Sequence, residues 1–63
     1  MVAYKTEFQA ISKAVKVSQK EFPDMVVVVF KKIDGSYSCG LEAEYIGDEK
    51  DICEKYLNGA IVA

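Results

Sequence analysis

Residues 25–45, MVVVVFKKIDGSYSCGLEAEY, decide the fold of this chain. The apolar run at the start of this stretch contains four valines, and β-branched residues favour strands. Asp34-Gly35 follows, and an Asp-Gly pair between two apolar runs is a strong signal for a β-hairpin closed by a two-residue type I′ turn. We therefore predict two antiparallel strands, over residues 25–30 and 36–45, that meet at this turn.

A two-residue turn would fix the register of the hairpin. It places Ile33 opposite Ser36 and therefore Phe30 opposite Cys39. Side chains alternate between the two faces of a strand, so one face becomes the core and the other points away from it. The predicted core face consists of Val26, Val28, Phe30, Tyr37, Cys39, Leu41, Ala43 and Tyr45. The predicted second face consists of Met25, Val27, Val29, Lys31, Ile33, Ser38, Gly40, Glu42 and Glu44. A shift of one residue would exchange these sets, so the assignment depends on the turn.

A helix is predicted over residues 4–22. Thr6 and Gln9 could form a capping box that starts the helix at Glu7, and Pro23 ends it because the residue before a proline disfavours helical geometry. Its apolar stripe, at the spacing of one helical face, consists of Tyr4, Phe8, Ile11, Val15, Ser18 and Phe22, widened by Ala10, Ala14 and Val17. This stripe could also be the seam of a coiled coil, but it is shorter than three heptads, so packing against the sheet is favoured.

A second helix is predicted to follow the hairpin. Asp48 suits its N-cap, and Glu49 and Asp51 place negative charge in the first turn, where the helix dipole favours it. Asn58-Gly59 is a stop signal for this helix. Its apolar face consists of Ile52, Cys53, Tyr56 and Leu57. The apolar tail, residues 60–63, is either a short strand or an interface element.

The predicted fold class is α+β, with a single domain over residues 1–63. The predicted order is α-β-β-α, in which two helices pack on one face of an antiparallel β-hairpin. A short C-terminal strand is an option. A chain of this length buries only about 60% of its unfolded surface, so its core would gain stability from a second subunit.

Composition excludes several classes of site. The chain has no histidine, which excludes Ser-His and Cys-His catalytic pairs and imidazole metal ligands. Cys39 and Cys53 are too few for a disulfide scaffold, and we expect reduced thiols on apolar faces. We expect no enzyme activity, no cofactor and no metal. The chain lacks an apolar run of about 18 residues and the apolar core of a signal peptide, so we expect a cytoplasmic protein without a membrane segment.

Charge is distributed unevenly along the chain. Residues 1–33 carry six lysines and three acidic residues, a net charge of +3. Residues 34–63 carry two lysines and seven acidic residues, a net charge of −5. The predicted acidic patch consists of Asp48, Glu49, Asp51 and Glu54. Together with Glu42 and Glu44 it could bind a divalent cation, but the spacing does not match an EF-hand loop, and docking on a basic surface is the stronger interpretation.

The second face of the hairpin is the predicted partner-binding surface. Two short helices would cover one face of a small sheet and leave valines exposed on the other, where Gly40 leaves an open spot for another backbone. The predicted contact residues are Met25, Val27, Val29, Gly40, Glu42 and Glu44. They indicate a non-catalytic protein-binding module, an inhibitor or regulator that binds an unidentified protein partner and forms a homodimer.

The lysines on the outer side of the first helix give an alternative function. Lys13, Lys16 and Lys20 lie on one face and could contact the phosphates of a nucleic acid. All eight basic residues are lysine, whereas arginine is the usual residue for bidentate contacts to phosphate and guanine. Nucleic-acid binding is therefore disfavoured.

A third interpretation comes from a resemblance that covers about half of the chain. Asp34-Gly35-Ser36-Tyr37, then Gly47-Asp48 and a predicted helix with Ala60-Ile61 near its end, resemble the hairpin-then-helix of HicB-type antitoxins. The long N-terminal helix departs from that pattern, which opens with a strand. The resemblance implies a toxin-binding subunit. Small acidic chains without arginine also look like phage accessory proteins, which often inhibit a host enzyme.

Overall fold

The computed structural model describes residues 3–62 as one helix and a four-stranded antiparallel sheet. The elements are α1 (Glu7–Lys20), β1 (Val27–Lys31), β2 (Tyr37–Leu41), β3 (Ile52–Leu57) and β4 (Ala60–Ile61), and the strand order is β2-β1-β3-β4. The predicted α+β class is confirmed, but the order α-β-β-α is wrong because the second helix is a strand. Residues 60 and 61 of the predicted terminal strand form β4, and residue 63 lies outside the described residues. No helix in the described range is long and apolar enough to cross a membrane.

α1 begins where the capping box predicts. The Gln9 backbone N–H donates to the Thr6 side-chain oxygen at 3.2 Å, and the Gln9 side chain accepts from the Thr6 backbone N–H. Glu7 supplies negative charge in the first turn, which stabilises the N-terminal end of the helix dipole. The helix ends at Lys20, shortly before Pro23.

The buried face of α1 differs from the predicted stripe. Ala10, Ala14 and Ser18 are fully buried against the sheet, whereas Phe8 is 76% exposed and Phe22 is 37% exposed. Small side chains let the helix backbone lie close to the sheet, so the contact is centred on them and the larger residues lie beside it. The partly buried residues at the margin of the core are Tyr4, Ile11, Val15 and Val17.

The turn between β1 and β2 contains three residues, not two. The Lys32 backbone N–H donates to the Ser36 carbonyl at 2.7 Å, and the Gly35 N–H donates to the Lys32 carbonyl at 3.0 Å. Gly35 has φ +90°, the left-handed conformation that closes a three-residue hairpin loop. The Asp34 carboxylate accepts hydrogen bonds from the hydroxyl and the backbone N–H of Ser36, which hold the pKa of this carboxyl below its ordinary value.

The extra loop residue shifts β1 by one position against β2. Val29 lies opposite Cys39 and Phe30 lies opposite Ser38, so the predicted pairing of Phe30 with Cys39 is wrong. Because side chains alternate along a strand, this shift exchanges the faces of β1 and leaves those of β2 as predicted. The side of the sheet that packs on α1 contains Val27, Val29, Tyr37, Cys39 and Leu41. Val28 and Phe30 lie on the other side.

Residues 52–57 form β3 where the sequence predicts a helix. Tyr56 pairs with Val27, and a bulge at Cys53 shifts the register towards the start of β3. An isolated helix of this length is marginal in water, whereas the buried β1 strand needs hydrogen-bond partners on both of its edges. Pairing with β1 therefore overrides the helical spacing of the apolar residues.

Asn58-Gly59 forms a two-residue hairpin turn between β3 and β4. Asn58 has φ +51° and Gly59 has φ +81°, and the positive values are those that a type I′ turn requires. The prediction that this pair stops a helix is wrong. The two-residue turn expected at Asp34-Gly35 is found here instead.

Ser18 anchors this turn to α1. The Gly59 backbone N–H donates to the Ser18 hydroxyl oxygen at 2.8 Å, and the Ser18 hydroxyl donates to the Val15 carbonyl at 3.1 Å. Ser18 is fully buried, so its hydroxyl satisfies both partners away from water. A single small polar side chain thus joins the helix to the far edge of the sheet.

Residues 42–51, here called the crossover, lie on the face of the sheet opposite α1. β2 and β3 both run antiparallel to β1 and therefore parallel to each other, so the chain must cross β1 to connect them. Within the crossover, the Tyr45 ring lies against the Phe30 ring with centroids 4.7 Å apart. Val28 and Ser38, also on this face, are buried. The central strand is consequently covered on both faces, by α1 and by the crossover.

Replacing Ser18 by alanine should lower the free energy of unfolding by about 1–2 kcal/mol, because the Gly59 N–H would lose its acceptor. Ser12→Ala, at an exposed position of α1, is the matched control, since it makes the same chemical change with the same gain in helix propensity. Urea denaturation of both variants measures the difference. Equal stability of the two variants would contradict the anchoring role.

Candidate functional site

A pocket of 680 Å³ opens on the crossover face of the sheet. It lies between the tip of the β1–β2 hairpin and the crossover. The hairpin tip contributes Lys31, Lys32 and Ile33, and the crossover contributes residues 44–48 and Asp51. Its volume is in the range of sites that hold a small molecule or the side chains of a partner.

Gly40 forms the floor of the pocket, flanked by Phe30 and Leu41. A Cβ atom added at Gly40 would meet no atom within 4 Å, so the glycine leaves a space that any larger residue would fill. The sequence predicts an open spot at this position, and the structure places one there. Its cross-strand neighbour is Val28 and not Val29, because of the shifted register.

The crossover wall is held in shape by Tyr45. The Tyr45 hydroxyl donates to the Asp48 carbonyl at 2.8 Å, and desolvation raises the pKa of this hydroxyl, which keeps it protonated as a donor. A side chain at Gly47 would collide with the Tyr45 ring and hydroxyl, so glycine lets the Tyr45 side chain lie against this bend. The Asp48 side chain accepts from the Lys50 backbone N–H at 3.2 Å and starts the last turn of the crossover.

An ion pair fastens the start of the crossover to β3. The Lys55 Nζ atom lies 2.8 Å from the Glu42 Oε2 atom, and the hydrogen bond to Glu42 raises the pKa of Lys55. Val28 pairs with Lys55 and is fully buried. Glu42, a predicted partner contact, is therefore engaged within the chain.

Two isoleucines stand at the rim of the pocket. Ile33 on the hairpin tip and Ile46 on the crossover are both fully exposed. Single exposed apolar residues are common on protein surfaces, but these two border the same apolar pocket. Exposed apolar residues grouped in this way are typical of interaction surfaces.

Charges of opposite sign line the two sides of the pocket. Lys32 lies on the hairpin side, and Glu44, Asp48 and Asp51 lie on the crossover side. Lys31 also borders the pocket, but it belongs to the row of β1 that faces α1. Of the four charged side chains on the pocket side, only Asp48 takes part in an ion pair within the described residues.

Val27 and Val29 are fully buried against α1, so the prediction that they are exposed to a partner is wrong. The register shift is the reason, because it turns both valines towards the helix. Met25 lies just before β1, is 40% exposed and does not line the pocket. Gly40 and Glu44, also predicted as contacts, do line it.

The predicted acidic patch is divided between two faces. Asp48 and Asp51 line the pocket, and Glu49 is exposed outside it. Glu54 pairs with Val29 in β3, in the row of the sheet that faces α1. In residues 3–62, no group of three acidic or cysteine side chains is arranged to hold a metal ion.

Lys13, Lys16 and Lys20 are exposed on the outer side of α1, as the sequence predicts. None of the three takes part in an ion pair within the described part of the chain. The pocket lies on the opposite side of the sheet. Nucleic-acid binding by these lysines stays a prediction.

Both cysteines are free thiols. Cys39 is half-buried beside α1, and burial raises its pKa. Cys53 is exposed at the bulge in β3, so its predicted place on an apolar helix face is wrong, and desolvation raises its pKa as well. A thiol with a raised pKa is a poor nucleophile at neutral pH.

The sequence prediction missed the role of Tyr45 and Ile46. Tyr45 was expected on the core face of β2, but β2 ends at Leu41 and Tyr45 lies on the opposite face. A signal was present in the sequence, because Tyr45-Ile46-Gly47 interrupts a stretch that is otherwise rich in acidic residues. An aromatic residue, an isoleucine and a glycine together indicate a structured segment and not a solvated loop.

Comparison of the chain with protein-family models, with curated proteins and with solved structures finds no match. The resemblance to HicB-type antitoxins requires a helix after the hairpin, and that segment is β3.

Gly40→Ala should raise the free energy of unfolding by about 0.5–1 kcal/mol, because the methyl group fits the open floor and alanine loses less backbone entropy in a strand. Gly47→Ala should lower it, because the methyl group would displace Tyr45. Urea denaturation of both variants tests the pair. A loss of stability in Gly40→Ala as large as that in Gly47→Ala would show that the floor is not open.

Proposed function

We propose that this chain is a non-catalytic protein-binding module, an inhibitor or regulator, whose contact surface is the pocket. The observation that carries the proposal is that two fully exposed isoleucines, Ile33 and Ile46, border an apolar pocket that has Gly40 as its floor. A partner that covers these residues removes apolar surface from water, which favours association.

The partner segment that fits this surface has an apolar side chain flanked by basic residues. The apolar side chain fills the space over Gly40, in contact with Phe30. The basic residues approach Glu44 and Asp51, which have no ion pair within the described residues. An apolar anchor in a pocket supplies affinity, and surrounding charge pairs supply orientation and specificity.

The absence of catalytic chemistry around the pocket supports a binding role. The chain has no histidine to act as a base. The raised pKa values of Cys39 and Cys53 keep both thiols protonated near neutral pH. The carboxylates of the crossover lie on an open wall, where water competes for any proton transfer.

A toxin-binding, antitoxin-like subunit and a phage-type inhibitor are special cases of this proposal, distinguished by the identity of the partner. Nucleic-acid binding through Lys13, Lys16 and Lys20 is a separate alternative. These lysines lie on the outer side of α1, away from the pocket, so mutations can separate the two functions.

A display library of randomised peptides, selected on the immobilised chain, tests the proposal directly. We expect enrichment of peptides with a large apolar residue beside lysine or arginine. A synthetic peptide of the enriched sequence should bind Gly40→Trp with an affinity reduced by about tenfold or more, because the indole occupies the pocket. Fluorescence anisotropy measures both dissociation constants.

Ser12→Trp, which adds the same side chain at an exposed position of α1, is the matched control and should bind the peptide like the unmodified chain. Lys13→Glu, Lys16→Glu and Lys20→Glu together should also leave peptide binding unchanged. Failure to enrich any peptide, or equal binding by Gly40→Trp, would rule out the pocket as a protein-binding site.

A further inference from the structure

The hairpin tip of this chain has the chemistry that the pocket would select. Lys32 immediately precedes Ile33, which is fully exposed. The tip therefore presents an apolar side chain beside a basic residue. We infer that a second copy of the chain occupies the pocket, so that each copy places its hairpin tip on the crossover of the other. The inference rests on the proposed function, because it assigns the partner of the same pocket.

The two sides of the pocket are complementary to each other. A two-fold axis along the pocket places the hairpin side of one copy over the crossover side of the other. The same contact then occurs twice in one dimer. Lys32 then faces Glu44 and Asp51 of the second copy, and the rotation that would place Lys32 of one copy on Lys32 of the other is disfavoured by repulsion. Ile33 of each copy fills the space over Gly40 of the other.

The hairpin tip is rigid enough to act as an anchor. The three-residue loop is closed by the Lys32–Ser36 backbone hydrogen bond of 2.7 Å. The Asp34 carboxylate accepts two hydrogen bonds from Ser36, at 2.6 and 2.9 Å, and does not line the pocket. The only acidic residue of the tip is therefore occupied within its own loop, and Ile33 projects from a fixed turn. A preordered loop loses little entropy on binding.

The small surface of the chain limits the area of the dimer interface and therefore the affinity of the dimer. A stable interface buries about 800 Å² on each partner, close to a fifth of the 4350 Å² surface of this chain. The pocket and its rims form one part of one face, so the interface belongs to the small, weak class. We therefore expect a dimer that dissociates on dilution and that salt weakens.

Sedimentation velocity over a concentration range from roughly 5 to 500 µM should show monomers converting to dimers as concentration rises. Lys32→Glu should weaken the dimer by about tenfold or more, because three carboxylates then face one another on each side. Glu44→Lys/Asp51→Lys should weaken it similarly. Asp48 is left unchanged because its side chain caps the turn at Lys50.

An equimolar mixture of the two charge-reversed variants is the decisive sample. The acidic tip of one variant faces the basic crossover of the other, and the reverse holds at the second contact, so a heterodimer of near-native affinity should form. Lys13→Glu has the same change in net charge as the tip variant but alters an exposed residue of α1, and it should dimerise like the unmodified chain. Rescue on mixing also shows that both variants are folded.

A chain that stays monomeric at the highest concentration would overturn the inference. So would dimers that are insensitive to both charge-reversed variants, or species larger than a dimer in the mixture. Pocket-dependent binding of the selected peptide by a strictly monomeric chain would overturn this inference alone and leave the proposed function standing. Dimers abolished by the tip variant and restored by the mixture would support it.

Discussion

The three-residue loop from Ile33 to Gly35 is the constraint on which the rest of the structure depends. Gly35 takes a left-handed conformation, φ +90°, and the loop is closed at Lys32. This closure aligns Val29 with Cys39 and turns the valine towards α1. A two-residue turn would send that side chain to the opposite face, since side chains alternate along a strand. One glycine conformation thereby decides which half of the valine run forms the helix-facing core.

The same register also shapes the crossover face of the sheet. Phe30 points away from α1 and is covered by Tyr45 of the crossover, whose side chain lies against Gly47. The crossover leaves the area over Gly40 open, and the hairpin tip borders it with Ile33. The pocket is thus a consequence of the path that the crossover takes from β2 to β3. Its opposite charges follow from the uneven distribution of lysines and carboxylates along the chain.

Structural features set by residues close together in the sequence could be predicted. Features set by pairing between distant segments could not. The capping box at Thr6 was predictable because its partners are three residues apart, and the space over Gly40 needed only a missing side chain. The register of the hairpin could not be predicted, because Asp-Gly suits both a two-residue turn and a three-residue loop with glycine as its last residue. β3 was missed because its apolar spacing also fits a helix, and only pairing with β1 decides between them. The pocket requires the path of the crossover, which no local pattern specifies.

The cross-strand Hα–Hα contacts of the hairpin test the register most directly. In an antiparallel pair, residues that do not exchange backbone hydrogen bonds bring their Cα atoms to about 4.5 Å, which gives a strong nuclear Overhauser effect between the Hα atoms. The Lys32–Ser36 hydrogen bond makes Val29–Cys39 such a pair. A strong Hα–Hα signal between Val29 and Cys39 is the predicted result. A strong signal between Phe30 and Cys39 in its place would contradict the account, because it would turn Val29 away from α1 and Phe30 away from Tyr45.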